Sequence, residues 1–126
     1  MTDTEATVPS DGKFRKIEHI LKSKDFRAVY TKGFGVKAGP LSLLCLPNGL
    51  AHNRLGFSIG SRKVRLASRR NRIRRLLREV YRTSKPCFKT GFDMVLVIKR
   101  DAHEMQVYKE VERLLLKAIK NAGLVA

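Results

Sequence analysis

The chain has 126 residues, of which 43% are hydrophobic and 30% are charged. This length suits one domain, and the hydrophobic content excludes a chain that is disordered throughout. Lysine and arginine outnumber aspartate and glutamate by 27 to 11, which gives a net charge of +16. Because such a charge repels itself unless a polyanion neutralises it, nucleic acid is the first expected partner and an anionic membrane surface the second.

The sequence predicts a cytoplasmic protein that does not enter a membrane. No apolar run approaches the roughly 18 residues of a transmembrane helix. The N-terminus lacks the basic and then apolar pattern of a secretory signal. Cys45 and Cys87 are far apart in the sequence and form no CxxC pair. We therefore expect free thiols in a reducing compartment.

Charge divides the chain into a short tail and one domain. Residues 1–12 contain Asp3, Glu5 and Asp11 but no base, together with Thr, Ser, Pro and Gly. This composition predicts a disordered acidic tail. Residues 13–126 contain no internal repeat and no linker signature, so they are expected to form a single domain.

The first predicted elements of this domain are a short helix and two or three strands. Ser23 is a candidate N-cap for a helix that ends at Gly33. Residues 34–38 and 40–47 then read as extended segments. In residues 54–59 the apolar side chains strictly alternate, which predicts a half-buried strand.

A basic helix is predicted next, over residues 67–82. Ser68 is its candidate N-cap, and Lys85-Pro86 is expected to end it. Apolar residues recur at helical spacing and form one stripe along it. The stripe consists of Ile73, Leu76, Leu77, Val80 and Tyr81.

The last predicted elements are a central strand and a final helix. Apart from Asp93, residues 92–98 form a continuous apolar run, which is typical of a strand covered on both faces. Asp101 and Glu104 resemble a capping box at the start of a helix that ends at Gly123. The fold class is therefore α+β. We expect a small sandwich, in the order helix, strands, basic helix, strand, helix, around a sheet of roughly four strands.

The basic helix carries the strongest functional signal. Residues 62–82 hold ten bases and one acid, Glu79. The simplest alternative is a solvated surface with no partner, but such a surface usually carries both acidic and basic side chains. In addition, like charges four residues apart destabilise a helix by about 0.2–0.5 kcal/mol per pair. Arginines at the helix start also oppose the helix dipole and favour bound phosphate. The face opposite the apolar stripe consists of Asn71, Arg74, Arg75, Arg78 and Arg82.

Local patterns leave open the choice between RNA and DNA and show no catalytic centre. Phe26 and Tyr30 could stack on unpaired bases, although aromatic residues at helical spacing more often belong to the core. The three histidines lack metal-ligand spacing. Asp93, Asp101 and Glu104 are also candidates for a carboxylate metal site, but strand entry and a helix cap account for these acids more simply.

A ten-residue motif in the basic helix favours RNA over DNA as the partner. The segment 70–79, Arg-Asn-Arg-Ile-Arg-Arg-Leu-Leu-Arg-Glu, resembles the RNR signature of the bacterial ribonuclease P protein component. Weaker similarities follow in the order of that family and cover about residues 13–122. They are Lys22 to Phe26 with Val29, Tyr30 and Gly33; Gly39 to Leu41; Leu46 to Asn48; Arg54 to Ile59; and Gly91 to Val95 with Arg100.

The resemblance implies a function that needs no active site in the protein. Members of the family bind the catalytic RNA of ribonuclease P and the single-stranded 5′ leader of precursor tRNA. The RNA removes the leader with Mg²⁺ as the cofactor, and no obligate protein partner or membrane is expected. The family also implies a left-handed crossover around the basic helix, against the general preference for right-handed ones.

Residue roles follow from the matching positions. The leader cleft implied by the resemblance involves Lys22, Phe26 and Tyr30, and Asn71 could also contact a metal-bound water. The residues that would contact the catalytic RNA are Arg62, Arg65, Arg70, Asn71, Arg72, Arg74, Arg75 and Arg78.

Three positions depart from the family pattern. Leu44 stands where an aromatic residue is frequent, and Ser61 stands where lysine is usual. His19 replaces a frequent arginine, which predicts a pH-dependent contact. The rival hypothesis is a structural RNA-binding module, such as a ribosome-associated protein, which would bind RNA without assisting cleavage.

Overall fold

A computed structural model describes residues 14–126, so the predicted acidic tail lies outside the described residues. Three α-helices and four strands follow one another in the predicted order, with short 3₁₀ turns at 16–18, 85–87 and 103–105. The elements are α1 (Ser23–Lys32), β1 (Phe34–Ala38), β2 (Leu41–Pro47), β3 (Arg54–Ser58), α2 (Ala67–Ser84), β4 (Phe92–Ile98) and α3 (Tyr108–Asn121).

The four strands form one mixed sheet in the order β1-β2-β4-β3. The hairpin β1–β2 turns at Gly39, whose φ of 59° suits glycine. β4 lies between β2, to which it is antiparallel, and β3, to which it is parallel. The prediction that the apolar run forms a central strand is therefore confirmed. The left-handed sense of the β3–α2–β4 connection stays a prediction.

The sheet separates two apolar layers, as an α+β sandwich requires. Alternate residues of the strands, such as Leu43 and Leu96, pack with α2 and α3 in the larger core. The opposite residues face α1, where Val29 packs with Ile20 and Val95. Full burial of each large aliphatic side chain contributes about 1.5–3 kcal/mol. This arrangement leaves the polar face of α2 directed away from the core.

The predicted start of the basic helix at residue 67 is confirmed, but the predicted N-caps are wrong, because backbone turns begin these helices instead of side-chain caps. Ser23 is already helical, and Lys22 holds the N-cap position. Ser68 also lies inside its helix, since the amides of residues 69 and 70 both donate to the Leu66 carbonyl. The final helix begins only at Tyr108, because a separate 3₁₀ turn at 103–105 intervenes. The predicted stops at Gly33 and Gly123 are confirmed.

Candidate RNA interface

The long helix α2 presents one apolar and one basic face, as predicted. Ile73, Leu77 and Val80 are buried against the sheet. Burial of this stripe fixes the rotation of the helix, because turning it would expose the apolar side chains. The basic side therefore faces outward. Asn71, Arg72, Arg75 and Arg78 are exposed there, and Arg70 and Arg74 are partly exposed.

The loop before α2 is joined to the helix by Arg70. One guanidinium nitrogen of Arg70, Nη1, donates to the carbonyls of Val64 at 2.8 Å and Arg65 at 2.9 Å. Val64 is fully buried beneath the loop, whereas the side chains of Arg62 and Arg65 are exposed. Arg70 thus helps to place these two loop arginines beside the basic face.

A second pair of arginines anchors the start of α2 to the loop before α3. Arg72 donates to the Gln106 carbonyl through Nε at 3.1 Å and through Nη2 at 2.7 Å. Arg69 forms an ion pair with Asp101. These bonds show why the N-terminal turn tolerates several arginines, since protein groups stabilise part of their charge.

The remaining charges on α2 are not equivalent. Arg82 makes a bidentate ion pair with Glu79, with N–O distances of 3.0 and 2.8 Å, which raises the pKa of Arg82. Arg78 lies over the ring of Phe57, with 5.8 Å between the guanidinium carbon and the ring centroid. Within residues 14–126, no carboxylate forms an ion pair with Arg75 or Arg78. These two side chains therefore keep their net charge.

Asn71 does not stand free on this face, because its side-chain oxygen accepts a hydrogen bond from Arg74 at 3.1 Å. An amide oxygen can accept a second bond, so the predicted contact with a metal-bound water stays a prediction. In the part of the chain that the structure describes, no three His, Cys, Asp or Glu residues are grouped as metal ligands would be.

The conceivable carboxylate site of Asp93, Asp101 and Glu104 does not form. Asp93 is buried at the sheet and binds Arg54, whereas Asp101 binds Arg69 at the start of α2. Glu104 lies near His103 in the 3₁₀ turn. The structure places the three acids in separate contacts because each has its own basic partner.

The residues predicted for the leader lie along α1, but they do not share one groove. Phe26 is half-buried and packs on Gly56, where an added Cβ would lie 2.5 Å from its ring carbons. Tyr30 is 49% exposed and lines a groove of about 360 Å³ with Leu44 and Val97. Lys22 lines another groove with Asp25, near the other end of the helix.

The Tyr30 groove has basic sides and an apolar floor. Lys37 and Lys99 line it together with Tyr30 and Leu44. Ser42 also lines it, and its buried hydroxyl has no hydrogen-bond partner among residues 14–126. Leu44 gives the floor an aliphatic surface at the position where the resemblance suggested an aromatic ring.

Sequence reasoning missed two ion pairs that connect distant segments. Arg54 joins Asp93, and the Lys85 Nζ lies 2.9 Å from Glu18 Oε1 with both side chains almost completely buried. Glu18 also accepts a hydrogen bond from the Arg15 amide at 2.6 Å. The partners are tens of residues apart, so no local spacing could have indicated them.

The N-terminal segment adds a ring stack that local patterns also missed. Phe14 and His19 stack with their centroids 3.9 Å apart. Burial of the imidazole, and then the nearby Arg78 guanidinium, lower the pKa of His19, which favours the neutral form of the ring. His19 therefore presents a flat ring beside a cationic helix. A pH-dependent contact at His19 stays a prediction.

Among residues 14–126, no helix combines the length and apolar character needed to cross a membrane. The thiols differ in exposure: Cys45 is buried, which raises its pKa to about 12, and Cys87 is exposed. Both are free thiols, as predicted.

Comparison with known proteins identifies the family. The ribonuclease P family model matches residues 14–123. The ribonuclease P protein component of Pelotomaculum thermopropionicum is 39% identical over 108 residues, which are 86% of this chain and 95% of the relative. That of Alkaliphilus metalliredigens is 36% identical over 107 residues, 85% of this chain and 95% of the relative.

A solved structure agrees with the sequence comparisons. The ribonuclease P protein of Staphylococcus aureus superposes with a TM-score of 0.74 at 25% identity, covering 90% of this chain and 95% of the other. The agreement extends over the sheet and all three helices. The chain therefore belongs to the family of bacterial ribonuclease P protein components.

Proposed function

We propose that this protein is the RNA-binding subunit of ribonuclease P in the cytoplasm. It binds the catalytic RNA and the 5′ leader of precursor tRNA, and so assists removal of the leader. Mg²⁺, bound mainly by the RNA, supplies the metal chemistry of phosphodiester hydrolysis. The observation that carries this proposal is the outward arginine face of α2, on a chain of the ribonuclease P family.

The arginine face suits a folded RNA. Guanidinium groups bind phosphate through two parallel N–H donors, and each neutralised phosphate releases bound counterions. Arg74, Arg75 and Arg78 supply such donors from the helix, and Arg62 and Arg65 extend them over the preceding loop. In this proposal Arg70 and Arg72 have a double role, since they also hold the loops that shape the surface.

The α1 side of the sheet suits the single-stranded leader. An unpaired base can stack on the exposed ring of Tyr30, with its phosphates near Lys37 and Lys99. Phe26, half-buried against Gly56 of β3, adds a second aromatic ring on α1 outside this groove. Lys22 contributes charge at the opposite end of α1. No obligate protein partner is required.

The decisive experiment measures cleavage of precursor tRNA by the cognate catalytic RNA at low Mg²⁺, with and without this protein. We expect faster release of the leader with protein, because phosphate neutralisation lowers the Mg²⁺ that the RNA requires. Protein without RNA should not cleave at the specific site. An absence of stimulation would contradict the proposal, and specific cleavage by protein alone would indicate a protein nuclease.

Co-purified RNA separates this function from a structural role on the ribosome. The tagged protein is isolated at low salt, and its bound RNA is sequenced. We expect enrichment of the catalytic RNA and precursor tRNAs over ribosomal RNA. Enrichment of ribosomal RNA alone would support the rival module.

A further inference from the structure

A third concave surface lies on the basic side of α2, and it shares no lining residue with the Tyr30 groove. It encloses about 350 Å³ between the N-terminal segment and the helix. Phe14 and His19 line one side, and Arg75, Arg78 and the Glu79–Arg82 pair line the other. We call this space the His19 pocket.

The aromatic side of the His19 pocket is held rigidly. Phe14 stacks on His19 and meets the rings of Phe57 and Tyr81 edge to face, at centroid distances of 6.4 and 5.4 Å. His19 forms a parallel bridge with Leu55 of β3. The pocket thus has a preformed flat surface, which lowers the entropic cost of binding a planar ligand.

Neighbouring bonds fix the segment that carries these rings. The Ile20 amide donates to the Leu55 carbonyl at 2.8 Å, directly after His19. Directly before it, the buried carboxylate of Glu18 is paired with Lys85. The position of His19 is therefore set from both sides, and the aromatic surface does not depend on a ligand for its shape.

The charges of the pocket favour an anion. Arg75 and Arg78 are exposed, and no ion pair within residues 14–126 neutralises them. Glu79 is the acid in the lining, and both of its carboxylate oxygens lie within hydrogen-bond distance of Arg82. The Glu79–Arg82 pair is close to neutral, so Arg75 and Arg78 leave the pocket with positive charge beside its flat rings.

We propose that the His19 pocket binds one unpaired nucleotide of the RNA partner. The base packs against the Phe14 and His19 rings, and its phosphate binds Arg75 and Arg78. A planar aromatic surface beside two guanidinium groups matches both halves of a nucleotide. This inference depends on the proposed function only because it takes RNA as the ligand. It gives an RNA-binding role to Phe14 and His19, which lie outside the RNR segment.

The first test uses decauridylate and a ten-base-pair RNA duplex as probes, with the full chain at low salt. In this test every protein, the parent included, carries Tyr30→Ala, because decauridylate could otherwise stack in the Tyr30 groove. His19→Ala should weaken decauridylate binding about tenfold, as expected for the loss of one base–aromatic stack. His19→Phe keeps a flat ring and should remain within about threefold of the parent protein. Binding of the duplex should change little in either variant, because its bases are already paired.

Matched controls separate stacking from charge and from folding. Arg75→Ala should weaken binding of both probes, whereas Lys117→Ala on α3 should affect neither strongly. Circular dichroism melting identifies any variant that fails to fold. Equal decauridylate affinity for folded His19→Ala and the parent protein would overturn the proposal.

A second measurement needs no variant. The parent protein is irradiated with catalytic RNA that contains 4-thiouridine, and the cross-linked peptides are identified by mass spectrometry. We expect a cross-link in the tryptic peptide 17–22, which contains His19. Cross-links confined to α2 peptides would overturn the pocket. The proposed function is tested separately, by stimulation of precursor-tRNA cleavage.

Discussion

Arg54 binds both carboxylate oxygens of Asp93 across the parallel strands β3 and β4, with Nε–Oδ1 and Nη2–Oδ2 distances of 2.8 and 2.6 Å. Asp93 also accepts a bond from Asn48, and Arg54 reaches Asp25 of α1 at 3.5 Å. The hydrogen bonds to Asp93 raise the pKa of Arg54. One carboxylate thus helps to join both neighbouring strands and α1, and its role is structural.

Asp93→Asn should destabilise the protein by about 2 kcal/mol, because the new amide directs N–H groups at the donors of Arg54 and removes a charged acceptor. Urea unfolding monitored by circular dichroism measures the change. Glu110→Gln is the matched control, since its ion pair with Arg113 is exposed and worth at most about 0.5 kcal/mol. Equal stabilities for the two variants would refute the structural role of Asp93.

Gly56→Ala should push Phe26 away from the sheet. The added Cβ would lie 2.5 Å from two ring carbons of Phe26, so the ring or α1 must move. We expect a loss of about 1–3 kcal/mol in the free energy of unfolding. Gly60→Ala is the control, because no heavy atom beyond its chain neighbours lies within 4 Å of the added Cβ. If Gly56→Ala were as stable as the parent protein, Phe26 would not pack closely on this glycine.

Glu18→Gln should cost about 3–5 kcal/mol, because it removes the carboxylate from a buried ion pair with Lys85. The double variant Glu18→Gln with Lys85→Met should recover much of this loss, since no buried ammonium group remains. A double-mutant cycle by thermal and urea unfolding measures the coupling. Additive effects of the two substitutions would argue against a direct interaction.

The parts of the fold that local pattern determines were predicted correctly. The run 92–98, apolar apart from Asp93, indicated a strand covered on both faces, and the period of residues 73–81 located the basic face of α2. The N-caps of α2 and α3 were mispredicted because backbone turns and the Arg70 and Arg72 side chains organise the starts of these helices. These contacts depend on the tertiary structure.

In the candidate site, too, local pattern predicted some features and tertiary contacts determined the others. Helical spacing located the exposed Arg75 and Arg78, but it could not indicate that Glu79 neutralises Arg82 or that Tyr30 and Lys22 line different grooves. The Phe14–His19 stack depends on the N-terminal segment crossing near β3, which involves residues 36 positions apart. The position of this stack depends on the chain topology, which the sequence indicated only through the family resemblance.

Removal of three outward arginines should flatten the salt dependence of RNA binding. In the variant with Arg62, Arg65 and Arg74 replaced by alanine, three lost phosphate contacts should reduce the slope of log K against log salt by about two to three units. The control replaces Lys109, Lys117 and Lys120 of α3, which removes the same charge from another surface. Filter binding to the catalytic RNA measures both slopes. Equal slopes would mean that these three arginines form only a solvated surface.

Deletion of residues 1–12 should accelerate RNA binding at low salt. The segment contains three acids and no base, so its removal raises the net charge from +16 to +19. A larger positive charge steers the polyanion more strongly, and the effect should fade as the Debye length falls from about 30 Å at 0.01 M to about 8 Å at 0.15 M salt. Stopped-flow association with labelled catalytic RNA measures the rate. A full-length variant with Asp3→Asn, Glu5→Gln and Asp11→Asn is the control, and it should match the deletion if charge alone is responsible. Slower association of both variants would show instead that the acidic segment assists binding.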